Sequence, residues 1–267
     1  MGFQFAGSLS GAAPIVRRYQ IGETMYVGQL VMPGTFTLTH GGHVQIADVA
    51  NTAYEETQPL IGIVTAVADK SRTYVAASSG TQGYGDRSTY TITQATIAAN
   101  LGTGLSGGGE VDVTKIVPFD TLVKGPIYNT VWGTALTELV VTTADSGGTT
   151  ITAAGDAITD MTDAFPTAYC RSGANRGHYR VVTTCTSTTV STVVIPFPYG
   201  IAVGDVFVVA ACRLGWGSMQ LCTGADAIDG DIIQTYYHPV DYHEINLEES
   251  GKEYAVFSTI AGFGAPA

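Results

Sequence analysis

The stretch that decides the fold is Arg180-Val-Val-Thr-Thr-Cys-Thr186, followed after one residue by Thr188-Thr-Val-Ser-Thr-Val-Val-Ile195. Both halves are built from β-branched residues, which suit the pleated, half-buried surface of a strand and lose rotamer freedom in a helix. Thr35-Phe-Thr-Leu-Thr-His40 and Gly62-Ile-Val-Thr-Ala-Val-Ala68 are written in the same style. Gly204-Asp-Val-Phe-Val-Val-Ala-Ala-Cys212 is nearly apolar throughout, as expected of a strand buried on both faces. Further strands are expected over 122–129, 135–142, 149–153 and 253–260. The pattern offers little helix: residues 90–100 at best, and one turn or a loop within 157–165. The expected class is all-β with a minor helix.

Glycine divides the chain. Leu101-Gly-Thr-Gly-Leu-Ser-Gly-Gly-Gly109 has glycine at five of nine positions, the composition of a connector. The expected organisation is an N-terminal arm at 1–13, a β domain at 14–100, a linker at 101–110, and a second β domain with an extended tail at 111–267. Each domain is expected to be a small barrel or sandwich. The opening Met1-Gly-Phe-Gln-Phe lacks the basic and apolar regions of a secretory signal, so it reads as an extended arm that a neighbour would have to order.

Composition narrows the function. Charged residues make up 13 % of the 267, about half the usual share, and threonine about one residue in seven. A hydroxyl-rich surface is dried against a partner at low cost, because few ions lose their hydration. The net charge is −11 and the only basic pair is Arg17-Arg18, so direct nucleic-acid binding is not expected. No apolar run reaches the roughly 18 residues of a membrane span. The four cysteines, Cys170, Cys185, Cys212 and Cys222, form no CxxC. They are expected to be reduced and partly buried, with Cys170 and Cys185 the first pair to check for a disulfide.

Few residues suggest chemistry. His40 and His43 flank Gly41-Gly42, a strong hairpin signal that would make them a cross-strand pair; they are weak metal candidates, because two ligands do not close a zinc site. Tyr236-Tyr-His-Pro-Val-Asp-Tyr-His-Glu244 is dense in titratable and aromatic groups, and Pro239 argues against a helix. Read as a loop, it makes Tyr236, Tyr237, His238, Tyr242 and His243 interface candidates, together with Phe3 and Phe5 of the arm. Asp226-Ala-Ile-Asp229-Gly-Asp231 lacks the ligand spacing of a calcium loop and reads as an acidic turn. No nucleophile elbow or phosphate-cradling loop is present. No cofactor, metal or catalytic residue is assigned, and an enzyme is not expected.

Two sets of segments carry a resemblance. Tyr26-Val-Gly-Gln-Leu-Val31 with Leu60-Ile-Gly-Ile-Val64 resembles the small β domains of tailed-bacteriophage capsid decoration (cement) proteins. Ser172-Gly-Ala-Asn-Arg-Gly-His-Tyr-Arg-Val181, with Pro196-Phe-Pro198 and Ala202-Val-Gly-Asp-Val-Phe207, resembles β domains of phage virion proteins. The resemblance implies a structural protein on the outer capsid of the virion, bound to the major capsid protein, often a homotrimer, and assembled in the host cytoplasm. The chain is longer than the small single-domain decorators. It offers no segment for the long spine helix of a common phage shell subunit. The alternatives are a head fibre or tail adhesin that binds a host receptor or glycan through the Tyr-rich stretch, and a carbohydrate-active enzyme with two close carboxylates in an open cleft.

Overall fold

The structure, a computed structural model, describes residues 2–21, 25–33, 43–47, 60–68, 75–76, 90–91, 110–129, 133–153, 160–161, 166–187, 190–222, 224–230, 232–233 and 238–260. These residues contain strands and no helix. The 90–100 helix expectation lies largely outside them; its first two residues are a strand. In order along the chain the strands are β1 (Gln4–Ser8), β2 (Val16–Ile21), β3 (Leu30–Pro33), β4 (His43–Ile46), β5 (Gly62–Ala68), β6 (Val75–Ala76), β7 (Tyr90–Thr91), β8 (Glu110–Lys115), β9 (Thr121–Tyr128), β10 (Glu138–Thr143) and β11 (Thr150–Ala153). There follow β12 (Asp160–Met161), β13 (Thr167–Cys170), β14 (Tyr179–Ser187), β15 (Val190–Val193), β16 (Val206–Ala210), β17 (Gly215–Met219), β18 (Ile228–Asp229), β19 (Ile232–Ile233), β20 (His238–Asn246) and β21 (Tyr254–Thr259).

They form two closed barrels, one larger sheet and two two-stranded sheets, β6-β7 and β12-β19. The first barrel runs β2-β4-β3-β5-β8, the second β10-β11-β15-β14-β13-β16, and the sheet β1-β9-β21-β20-β17, with β18 also paired to β9. Closure removes the unpaired edges that threonine- and valine-rich strands would otherwise expose. The quoted stretch is β14 and β15, paired antiparallel with Val182 opposite Val193.

The expected arm needs correction. Residues 4–8 are not a free arm; they are a strand on β9, with Gln4 opposite Lys124 and Ser8 opposite Thr121. The Ser8 and Ser10 hydroxyls and the Ser10 amide donate to the Asp120 carboxylate, so the chain orders its own N-terminal segment. The expected linker lies outside the described residues up to Glu110, where β8 begins; β8 pairs with β2 and β5 and closes the first barrel. The second barrel is a continuous insertion between β9 and β17.

One apolar cluster spans these units. It joins Leu30, Ile63 and Ile116 of the first barrel to Val123, Ile127 and Phe257 of the sheet, and reaches Val208 of β16. Its centre is Phe3, only 2 % exposed. Phe3 packs edge-on against Phe257, ring centroids 6.0 Å apart, and Phe257 meets Tyr242 at 6.1 Å. Gly125 makes room for Phe3 in β9: a Cβ there would come within 2.2 Å of the ring. On the other side the Phe3 amide donates to the Gly28 carbonyl at 2.8 Å. Gly28 has φ +88°, and a Cβ there would strike the Gly2 backbone.

A buried ion pair ties the second barrel to the sheet. Arg171, just after β13, donates through Nη1 to Glu138 Oε1 of β10 at 2.7 Å, through Nε to the Leu247 carbonyl at 2.9 Å, and through Nη2 to Glu253 Oε1. The Glu253 side chain is wholly buried. The dry interior strengthens the pair and makes either partner expensive alone.

Three thiols, Cys170, Cys212 and Cys222, are free and buried, so no Cys170–Cys185 bridge forms. Burial pushes Cys170 up to about 11 and Cys212 up to about 12, which keeps both as protonated core groups.

Two substitutions test this reading. Phe3→Ala is expected to lower unfolding free energy by about 3–5 kcal/mol, the usual cost of removing a buried ring, read from denaturant midpoints; half-buried Phe5→Ala costs clearly less. Arg171→Ala is expected to cost about 3–5 kcal/mol, because it strands the Glu253 carboxylate. Replacing both partners by apolar residues, Arg171→Met with Glu253→Leu, should recover most of that loss.

Candidate interaction surface

The second barrel presents a braced corner. Ser172–His178 and Tyr199–Val206, far apart in the chain, meet there. The Asn175 amide, fully buried, donates to the Tyr199 carbonyl at 3.0 Å and accepts the Tyr199 amide at 3.0 Å. The Ser172 hydroxyl accepts the Val206 amide at 2.9 Å, and Asp205 Oδ2 accepts the Ala202 amide at 2.9 Å. Gly173, at φ +89°, is required here: a Cβ would lie 1.9 Å from Asp205 Oδ1.

Asp145 holds the neighbouring turn. Its backbone exchanges two hydrogen bonds with Ile201, and its carboxylate accepts the amides of Gly147, Thr149 and Thr150 and the Thr149 hydroxyl at 2.7–3.0 Å. Desolvation pushes the Asp145 carboxyl up, but these donors together outweigh it and hold the pKa below the ordinary value. Phe197 is buried against Phe207, centroids 5.2 Å apart, and the Arg180 guanidinium lies 5.4 Å from the Phe197 ring centroid while donating to the Pro196 carbonyl. The segment that follows β15 is therefore fixed.

That segment forms one wall of an open groove of about 480 Å³, lined by Tyr179, Arg180, Val181, Thr183, Val194, Ile195 and Arg213. The period of β14 explains it: Val182 points into the barrel and is buried, so Tyr179, Val181 and Thr183 face outward. Outward positions are normally polar, yet Tyr179 and Val194 are each 53 % exposed and Ile195 62 %. A contiguous exposed apolar surface of this kind marks an interaction site. Two arginines edge it on a chain of net charge −11, and none of its lining residues is a carboxylate.

A second exposed apolar feature is a turn. Val117-Pro-Phe-Asp120 makes the turn between β8 and β9, with Phe119 46 % and Val117 40 % exposed and Leu9 alongside, its amide on the Asp120 carbonyl. Phe119 has φ +59°, a left-handed conformation that costs a side-chain-bearing residue about 1–2 kcal/mol. The turn is rigid: the Asp120 and Thr121 amides bond the Val117 carbonyl, and the Phe119 amide bonds the Thr259 carbonyl. Hydrogen bonds, first from the Ser10 amide and then from the Ser8 hydroxyl, hold the half-buried Asp120 carboxyl below its usual pKa, so it is charged at neutral pH.

The residues singled out in the sequence are scattered. Tyr236-to-Glu244 is not a loop from His238 onward; it is β20, paired with β17 and β21. Strand alternation turns Val240 and Tyr242 inward and His243 outward. Phe3 and Tyr242 are therefore core residues rather than interface residues, because their rings are what Phe257 packs on. His238 and Phe5 are half-buried, and His243 is exposed with Nε2 3.0 Å from the Ser258 hydroxyl. Tyr236, Tyr237 and His40 lie outside the described residues. His43 opens β4, its backbone opposite Gln20. The acidic turn at 224–227 is present, with Asp226 in it and Asp229 just beyond it both buried. Among the described residues no three His, Cys, Asp or Glu side chains are grouped to hold a metal ion.

The sequence pattern alone did not point to the groove. Its signal was present: a strand with apolar residues on both faces, at Val181 and Val182, in a barrel whose outer face meets solvent. No protein-family model, curated protein or solved structure matches the chain.

The Asp145 brace has a pH signature. A depressed pKa stabilises the fold fully above the unfolded value, roughly 3.9, and that contribution is lost as pH falls through the lower folded value. Thermal melting should therefore be insensitive to this group from neutrality down to about pH 4 and fall below it. Asp145→Asn should melt lower at neutral pH and lose some of the acid-dependent decline.

Proposed function

We propose that the protein is a structural component of a virion, a capsid decoration protein that binds the outer surface of a phage head and clamps major capsid subunits. The observation that carries the reading is the exposed apolar surface on rigid, closed β-barrels in a charge-poor chain, joined to the cement-protein resemblance of 26–31 and 60–64. Such a surface gains from burial against a shell without desolvating many ions. Repetition around a symmetric particle multiplies weak contacts into firm attachment. A homo-oligomer, with a trimer favoured, matches the symmetry of sites where capsid subunits meet. Assembly would take place in the host cytoplasm.

The adhesin alternative drew on a Tyr-rich loop, and the described portion of that stretch is a strand with its central tyrosine in the core. The glycosidase alternative requires paired carboxylates in an open cleft, whereas the groove is edged by arginines. Neither gains a specific observation.

Quantitative mass spectrometry of purified particles tests the proposal. Hundreds of copies in fixed ratio to the main shell subunit, with particles lacking the protein less heat-tolerant, is the expected result. A dozen copies or fewer would move it to a fibre or tail component, and absence from particles would remove the structural reading altogether.

A further inference from the structure

The groove and the Phe119 turn are complementary. One is an open apolar groove edged by Arg180 and Arg213; the other is a turn that presents Val117 and Phe119 to solvent and is followed by the charged Asp120. We propose that the protein assembles head to tail, the Val117–Asp120 turn of one copy seated in the Tyr179–Arg213 groove of the next. The proposal gives the homo-oligomer of the preceding section its contact, and it does not depend on a capsid.

Three observations favour a second copy as the occupant. The charges match: an arginine-edged groove is unusual on this acidic chain, and the turn brings a carboxylate beside its aromatic residue. The turn is pre-organised by four backbone hydrogen bonds, counting the Leu9 amide on the Asp120 carbonyl, so little freedom is lost on docking. Phe119 also holds a left-handed backbone that glycine would adopt without strain, yet an exposed phenylalanine stands there. Strain of this kind is sustained by the surrounding structure and clusters at sites that clamp a ligand or partner. The groove's volume, about 480 Å³, lies within the range of clefts that hold ligand-sized groups, roughly 300–1,000 Å³. Because turn and groove are different surfaces, the contact is heterologous, and successive copies generate a ring or an open series.

The test uses the purified full chain and sedimentation equilibrium over a concentration series. The wild type is expected to associate. Phe119→Gly removes the knob and relieves the backbone, so it should be monomeric and melt no lower than wild type. Ile195→Asp puts a charge into the groove at an exposed position, so it too should be monomeric with an unchanged melt. Mixed in equal amounts, the two variants should form a dimer and nothing larger, because only one intact knob and one intact groove remain between them. Arg213→Glu should weaken wild-type association by about tenfold or more. A wild type that stays monomeric up to about 1 mM, association that survives either variant, or a mixture that stays monomeric would each overturn the proposal. A monomer that nevertheless coats particles in hundreds of copies would overturn this contact and leave decoration standing. A ring-forming protein absent from particles would do the reverse.

Discussion

The fold turns on one aromatic side chain placed where a strand has none. Phe3 occupies the space that Gly125 leaves open in β9, lies edge-on against Phe257, and hands its backbone amide to Gly28 in the first barrel. A single residue near the start of the chain thus joins the sheet to the barrel and fills the cluster that both share. Burying the ring supplies the hydrophobic gain, while the two glycines supply the close approach that any larger residue would block. β1 follows from that anchor, because a segment held at Phe3 is delivered to the open edge of β9.

The second barrel is attached differently. Its interior is a separate apolar cluster around Val182, Phe197 and Phe207, while Val208 and Ala210 of β16, with Tyr169 of β13 packed against them, belong to the shared core. Its attachment is directional as well as hydrophobic, through Arg171 reaching Glu138, Glu253 and the Leu247 carbonyl. A planar guanidinium with three acceptors fixes an orientation that apolar packing leaves loose. The barrel's hydrogen-bonded corner and its groove are consequently held at a set position relative to the sheet.

Function follows from how the surface is used. The thiols of Cys170, Cys212 and Cys222 are buried core groups, and the residues that line the groove include two arginines and no carboxylate. What the molecule offers outward is an open apolar groove, a hydrogen-bonded apolar turn and an acidic remainder. That combination suits a protein whose work is to bind other proteins, and its two complementary features suit repetition.

The sequence by itself determined the all-β class and the strand runs within 62–68, 122–129, 180–186 and 204–212, because β-branched alternation and glycine placement are local properties that survive without tertiary context. The approach of Gly173 to Asp205, from segments far apart in the chain, belongs to the tertiary structure. Tertiary structure alone decided which apolar residues were core and which were surface. Phe3 and Phe119 sit in similarly small, weakly polar surroundings in the sequence, yet one is buried by a gap in a strand 122 positions away and the other is turned outward by its own backbone. The first barrel crossing the glycine-rich stretch, the burial of Tyr242 and the Arg171 ion pair were equally out of reach. Each depends on which strands lie side by side, and strand pairing is a long-range choice that no local pattern encodes.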